Sequence, residues 1–322
     1  MPITLTKLLF AFALLIATLT APGATSAQEK FVLPHDVEQR KTDIYSEGTR
    51  LTAHIFTPKS TAEGDRLPAV IMAQGWGGTQ RSIFRDAAAI AQAGYYVATF
   101  DFRGWGESDS RVILTKPMPD VDTLNFTAQI RAIREVIDPM DMGMDWLNVL
   151  HWIQAEPQVD AEKIGLWGSS LAGGLAVYAA SHDVRVKAVH AQVTGLLDGR
   201  VGRAPEGLLI STLRARGQTG YPEPRAKFNG LTGYPIPARF IPYAPAVDIQ
   251  RNNSVALQTV LAEKEEYGTN PEAIKLHEEH TGEKNLVIIP NITHYGIYDD
   301  GWDQAHRLAL SWFDKHLKGA SD

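Results

Sequence analysis

A serine at position 170 stands between small residues two places away on each side, in the stretch Lys163 to Gly174 that reads KIGLWGSSLAGG. The apolar run Ile164 to Trp167 leads into it, and Gly173 and Gly174 follow. That is the pattern of a nucleophile elbow, a strand-to-helix turn so sharp that large side chains at those spacings would collide. Gly168 and Ala172 meet the requirement around Ser170, whereas Ser169 has Trp167 and Leu171 at the same spacing and fails it. A serine hydroxyl attacks a carbonyl only when a base takes its proton and a carboxylate holds that base in the right tautomer. In elbow-type sites the chain order is serine, acid, histidine.

His294 is the expected base. It follows the apolar strand Leu286 to Ile289 by five residues and precedes the last helical pattern, which puts it at the edge where open α/β sheets gather their sites. His277, His280, His306 and His316 fall in helical patterns and are expected to face solvent. The acid should follow the strand Val255 to Leu261, where Glu263, Glu265 and Glu266 stand together. Glu265 is preferred because the strand should already have turned there; Glu263 and Glu266 are the local alternatives and Asp198 the distant one. Two backbone N–H groups should receive the oxyanion, that of Leu171 at the start of the elbow helix and that of Trp76 in the loop Gln74-Gly75-Trp76-Gly77-Gly78. The polar turn Asp101 to Asp109 is expected to brace neighbouring loops rather than take part in chemistry.

These groups need a sheet to hold them. Around the turn Ser46-Glu47-Gly48, residues 36–43 and 49–57 alternate polar and apolar, as an antiparallel hairpin does. The runs 68–73, 95–100, 164–167, 186–193, 255–261 and 286–289 are nearly continuously apolar, which suits strands buried on both faces of a parallel sheet. Helical patterns at 84–93, 141–154, 171–181, 271–281 and 302–317 separate them, so the expected class is α/β with right-handed crossovers. Residues 196–250 carry seven of the 18 prolines with little periodicity and are expected to form a lid inserted in one catalytic domain, residues 28–322.

Composition narrows the field further. The 322 residues are 44% hydrophobic, with a formal net charge of −6, and no basic face is evident for a nucleic acid. There are no cysteines, which excludes thiol nucleophiles, disulfides and thiolate metal sites, and no motif implies a metal or an organic cofactor. Lys7, the apolar stretch Leu8 to Leu19 and the small-residue stretch ending at Ala27 have the layout of a secretory signal, so residues 1–27 are expected to be removed and the mature protein exported, periplasmic or secreted. The apolar stretch falls short of the roughly 20 residues of a membrane span, so no stable anchor is expected.

Taken in order, the loop Gln74 to Gly78, the segment DFRGWGES at 101–108, the elbow IGLWGSSLAGG and Thr293-His294-Tyr295-Gly296 resemble the α/β-hydrolase superfamily along most of the chain after residue 27. Within it, Val136 to Pro139 followed by Asp145-Trp146, together with residues 186–193, look most like the dienelactone-hydrolase-related and polyketide-transferase-like group. This chain has Ser170 where true dienelactone hydrolases use cysteine, and Glu265 where aspartate is commoner. The resemblance implies a mostly parallel central sheet, an antiparallel N-terminal hairpin and hydrolysis of a small carboxylic ester or thioester through an acyl-serine. An acyltransferase, a proline-type peptidase on the same triad, or a catalytically silent binding module are the alternatives. The aromatic residues Phe228, Tyr234, Phe240 and Tyr243 of the lid are expected to line an apolar substrate pocket.

Overall fold

Long apolar runs become the centre of an eight-stranded sheet in the computed structural model, which describes residues 31–118, 122 and 124–319. The expected signal at residues 1–27 lies outside the described residues. Contacts divide the chain after Val32, and the unit from Leu33 onward holds the sheet. Its strands are β1 (Val37–Ser46), β2 (Thr49–Pro58), β3 (Leu67–Ala73), β4 (Tyr96–Phe100), β5 (Val159–Ser169), β6 (Val186–Gln192), β7 (Ala256–Lys264) and β8 (Lys284–Thr293). They lie in the order β1-β2-β4-β3-β5-β6-β7-β8. β2 pairs antiparallel with β1 and β4, while the pairings from β4 to β8 are parallel. The mostly parallel sheet with an antiparallel N-terminal hairpin is therefore as expected.

The main helices are α1 (Phe84–Gln92), α2 (Pro139–Ile153), α3 (Leu171–His182), α4 (Pro205–Ala215), α5 (Asn270–Glu279) and α6 (Trp302–Phe313). Right-handed crossovers that step in opposite directions along a sheet leave their helices on opposite faces. The connection β3-α1-β4 steps one way, and those through α2 and α3 step the other. Accordingly α2 packs on α3, where Gly143 leaves room for the Tyr178 ring, and α1 meets α6, where Trp302 Nε1 donates to Asp86 Oδ1 at 2.9 Å. Every residue of α3 from Leu171 to Ala180 is buried, as fits a helix enclosed on all sides. α2 begins on Asp138, whose carboxylate accepts from the N–H groups of Met140 and Asp141, with Pro139 as its first residue.

Four readings of the sequence need correction. β8 is an edge strand, only half buried, and it runs to Thr293, so His294 follows it directly instead of five residues later; Pro290 and Asn291 interrupt the apolar run without ending the strand. The segment 196–250 holds more regular structure than its pattern suggests, including α4, where Gly207 alone is buried, so no apolar stripe marks it. Phe240 and Tyr243 are fully buried core residues, so of the four aromatics expected to line a pocket only Phe228 and Tyr234 are part-exposed. His280 is also fully buried, its Nε2 3.1 Å from the Val255 carbonyl, because α5 ends there against β7.

Asp86 carries a testable charge. Burial pushes its carboxyl up to about 6 from an ordinary 3.8, opposed by the Trp302 hydrogen bond. A raised carboxyl favours the protonated form in the folded state, so its contribution to stability is full below about pH 4 and is lost as the pH rises through about 6, up to about 3 kcal/mol. Asp86→Asn keeps an acceptor for Trp302 without the charge. Thermal melts should show the variant gaining on the wild type between pH 4 and pH 7; a gap that stays constant over that range would refute the assignment.

Candidate active site

β5 delivers Ser170 in a backbone conformation that serine seldom takes, φ 56° and ψ −123°. Such a residue costs roughly 1–3 kcal/mol and persists only where its surroundings enforce it. The Ser170 N–H donates to the Gln192 carbonyl at 2.9 Å, and the Ser170 carbonyl accepts from Gly173 at 3.0 Å and Gly195 at 3.1 Å. There is no space for larger neighbours. A Cβ on Gly168 would lie 2.2 Å from the Ala172 carbonyl oxygen, and one on Gly173 2.0 Å from Thr194 Oγ1.

The Ser170 hydroxyl lies 3.1 Å from His294 Nε2, and the Glu265 carboxylate oxygens lie 2.8 and 3.0 Å from His294 Nδ1. A carboxylate can only accept, so Nδ1 carries the proton and Nε2 is left to accept from Ser170. The side chains of His294 and Glu265 are 5% and 2% exposed, so this pair is shielded from water. Parallel pairing explains the juxtaposition. β7 and β8 end in step, with Lys264 beside Thr293, so the next residues of the two strands are Glu265 and His294.

The other glutamates have separate work. Glu263 accepts from the Asn291 N–H and Glu266 from the His294 N–H, both at 2.7 Å, so they clamp the backbone that carries the imidazole. Asp198 accepts from the Ala246 N–H at 3.1 Å, and burial raises its carboxyl. Tyr267 and Tyr295 pack on His294 in T-shaped pairs with centroids 4.8 and 5.4 Å away, and their hydroxyls meet at 3.0 Å. Both tyrosines are exposed and line the rim beside the imidazole, a role that nothing in their sequence spacing announces.

On the other side of Ser170, Gly75 approaches so closely that a Cβ there would lie 2.8 Å from Ser170 Cβ. Trp76 follows, its Nε1 donating to the Gly233 carbonyl at 3.0 Å and its ring stacked on Phe228 at 5.8 Å. The inserted segment is thereby fastened to the loop beside the serine. Leu171 opens α3, so its N–H has no partner inside the helix. Asp101 and Arg103 brace the surroundings. Asp101 accepts from the N–H groups of Gln80 and Glu107, and Arg103 pairs with the buried Asp145 at 2.6 Å. A hydroxyl held against an imidazole can attack a carbonyl and pass its proton to nitrogen.

A family model described as X-Pro dipeptidyl-peptidase (S15 family) matches residues 47–226. Across 307 residues the chain is 25% identical to a 31.7 kDa protein of the traX-finO intergenic region of Escherichia coli, covering 84% of this chain and 97% of that one. It is 31% identical over 123 residues to the thiohydrolase aneE of Aspergillus aculeatus, covering 38% of this chain and 32% of the relative. The solved α/β hydrolase GrgF of a Penicillium species superposes with a TM-score of 0.66 at 20% identity, covering 88% of this chain and 99% of that one.

The glycine before the elbow offers a direct check. Gly168→Ala should destabilise the fold by about 1–3 kcal/mol, because the added methyl meets a backbone carbonyl that cannot rotate away. Urea denaturation measures it; an unchanged midpoint and slope would contradict the packing described.

Proposed function

The chain belongs to the X-Pro dipeptidyl-peptidase (S15) family and has the α/β-hydrolase fold, and from this we propose that it is a serine hydrolase cleaving carboxylic esters or thioesters through an acyl-Ser170 intermediate. The observation that carries the reading is the continuous line from Ser170 through His294 to Glu265, at 3.1 and 2.8 Å. Ser170 Oγ attacks the carbonyl carbon while His294 Nε2 takes its proton. Glu265 steadies the resulting imidazolium, and the N–H groups of Leu171 and Trp76 receive the oxyanion. As the carbon–oxygen or carbon–sulfur bond breaks, His294 returns the proton to the leaving group. Water then attacks the acyl carbon, gives its proton to His294, and Ser170 leaves with that proton restored. Trp76, Phe228 and Tyr234 supply an apolar wall for a substrate of modest size, and residues 1–27 would send the enzyme out of the cytoplasm. The relative named a thiohydrolase matches a third of its own length, so it supports the thioester as a candidate bond and no particular substrate.

The family match favours a second reading, cleavage of the amide bond after proline by the same residues. It stops at residue 226, however, before Glu265 and His294. The two readings separate on paired substrates with a common acyl part, presented as p-nitrophenyl ester, thioester and p-nitroanilide, alongside an X-Pro p-nitroanilide. Ester or thioester turnover should exceed that of either anilide. Ser170→Ala should abolish labelling by a fluorophosphonate and lower kcat about 1000-fold or more, and Glu265→Gln should lower kcat about 100-fold or more. Preference for the X-Pro anilide would replace the esterase reading with the peptidase one.

A further inference from the structure

Ser169 and Tyr298 play no part in the chemistry just described, yet their side-chain oxygens meet at 2.7 Å across 129 residues of chain. Ser169 is fully buried and immediately precedes Ser170. Tyr298 closes the 3₁₀ turn Tyr295–Tyr298, four residues beyond His294. Their placement answers a geometric difficulty. Ser170 follows β5 and His294 follows β8, and β6 and β7 lie between those strands. At roughly 4.8 Å per strand the strand ends are separated by about 14 Å, so the turn after β8 must reach back across two strands. Small changes of sheet twist would be passed directly to the gap between Ser170 and His294.

The contact is anchored from below. Gln192 Nε2 donates to Ser169 Oγ at 3.3 Å, Gln192 Oε1 lies 3.3 Å from His190 Nε2, and His190 Nδ1 lies 2.6 Å from the Gln258 side chain. These residues belong to β5, β6 and β7, so the chain of bonds spans the strands under the site. Burial lowers His190 to about 4, which keeps its ring neutral with one proton to donate to the glutamine oxygens on either side of it. Burial also raises the Tyr298 phenol far above its ordinary range, so its hydroxyl keeps its proton. The network therefore carries no charge around neutral pH.

We infer that Ser169 and Tyr298 are positioning residues whose hydrogen bond ties the histidine turn to the nucleophile strand and so sets the distance from Ser170 Oγ to His294 Nε2. This rests on the serine-hydrolase reading. An error of about 1 Å in such a gap can cost about 100-fold in rate, so a single hydrogen bond at this place has leverage on catalysis out of proportion to its strength.

The test uses the full chain with Ser169→Ala, Tyr298→Phe and the double variant, each change removing one oxygen. Steady-state turnover of a p-nitrophenyl ester and the rate of fluorophosphonate labelling are measured well below each melting temperature. Each single variant should lose about tenfold in kcat and in labelling rate with KM held within about twofold, and the double variant should lose no more than either single one. A merely structural contact would lower the melting temperature and leave kcat of the folded protein unchanged. Should Ser169→Ala fail to fold, Tyr298→Phe, which leaves the bond from Gln192 to Ser169 in place, decides alone. Ser170→Ala is run beside them. If it is inert while the single variants keep kcat within about twofold of wild type, or the losses multiply in the double variant, this inference falls by itself; if Ser170→Ala still turns over, the serine-hydrolase reading falls with it.

Discussion

The turn at Ser170 is the constraint to which the surrounding structure is fitted. A non-glycine residue at φ 56° is held there by hydrogen bonds from three directions, to β6, to the start of α3 and to Gly195. None of these groups can shift without releasing the strain, and Gly168 and Gly173 are fitted around it as glycines because a methyl would strike the Ala172 carbonyl at the first and the Thr194 side chain at the second. The sheet supplies the rigidity: β5 is paired on both sides, with β3 and β6, so the residue that departs most from ordinary backbone geometry follows one of the best supported strands.

Charge is handled in two ways around this centre. Arg103 and Asp145 form a buried pair at 2.6 Å, and Arg103 also donates to Ser46 Oγ at 2.7 Å, which fastens α2 to the N-terminal hairpin. Burial pushes the Asp145 carboxyl up to about 6 against the pull of Arg103 and Ser46, so desolvation outweighs the attraction and the pair serves to fix a register more than to add stability. Near Ser170 the arrangement differs. Glu263 and Glu266 spend their charge on backbone N–H groups, leaving Glu265 to face the imidazole.

The inserted segment 196–250 is fastened at points that also hold the site. Trp76 reaches from the loop beside Ser170 to Gly233, and Arg239 pairs with Asp138, the residue that caps α2, at 2.8 Å. A Cβ on Gly77 would lie 2.8 Å from the Thr232 carbonyl, so this contact too depends on a missing side chain. Loop and insertion are therefore shaped as one surface, and changes in the insertion will be felt beside the serine.

The sequence by itself determined what depends on neighbours along the chain. The elbow at Ser170, the hairpin around Glu47 and Gly48, and the buried strands at 68–73 and 95–100 were legible because local sterics and apolar continuity leave few alternatives. Glu265 was singled out from its neighbours by the point where a strand must end, but its contact with His294 arises from the shared ending of β7 and β8, a matter of register between strands that pairing decides. The tertiary structure alone decided the rest: the burial of His280, Phe240 and Tyr243, the length of an edge strand whose solvent face hides its pattern, and the meeting of Ser169 with Tyr298. Those outcomes depend on which surfaces meet across the fold, and no periodicity within a segment carries that information.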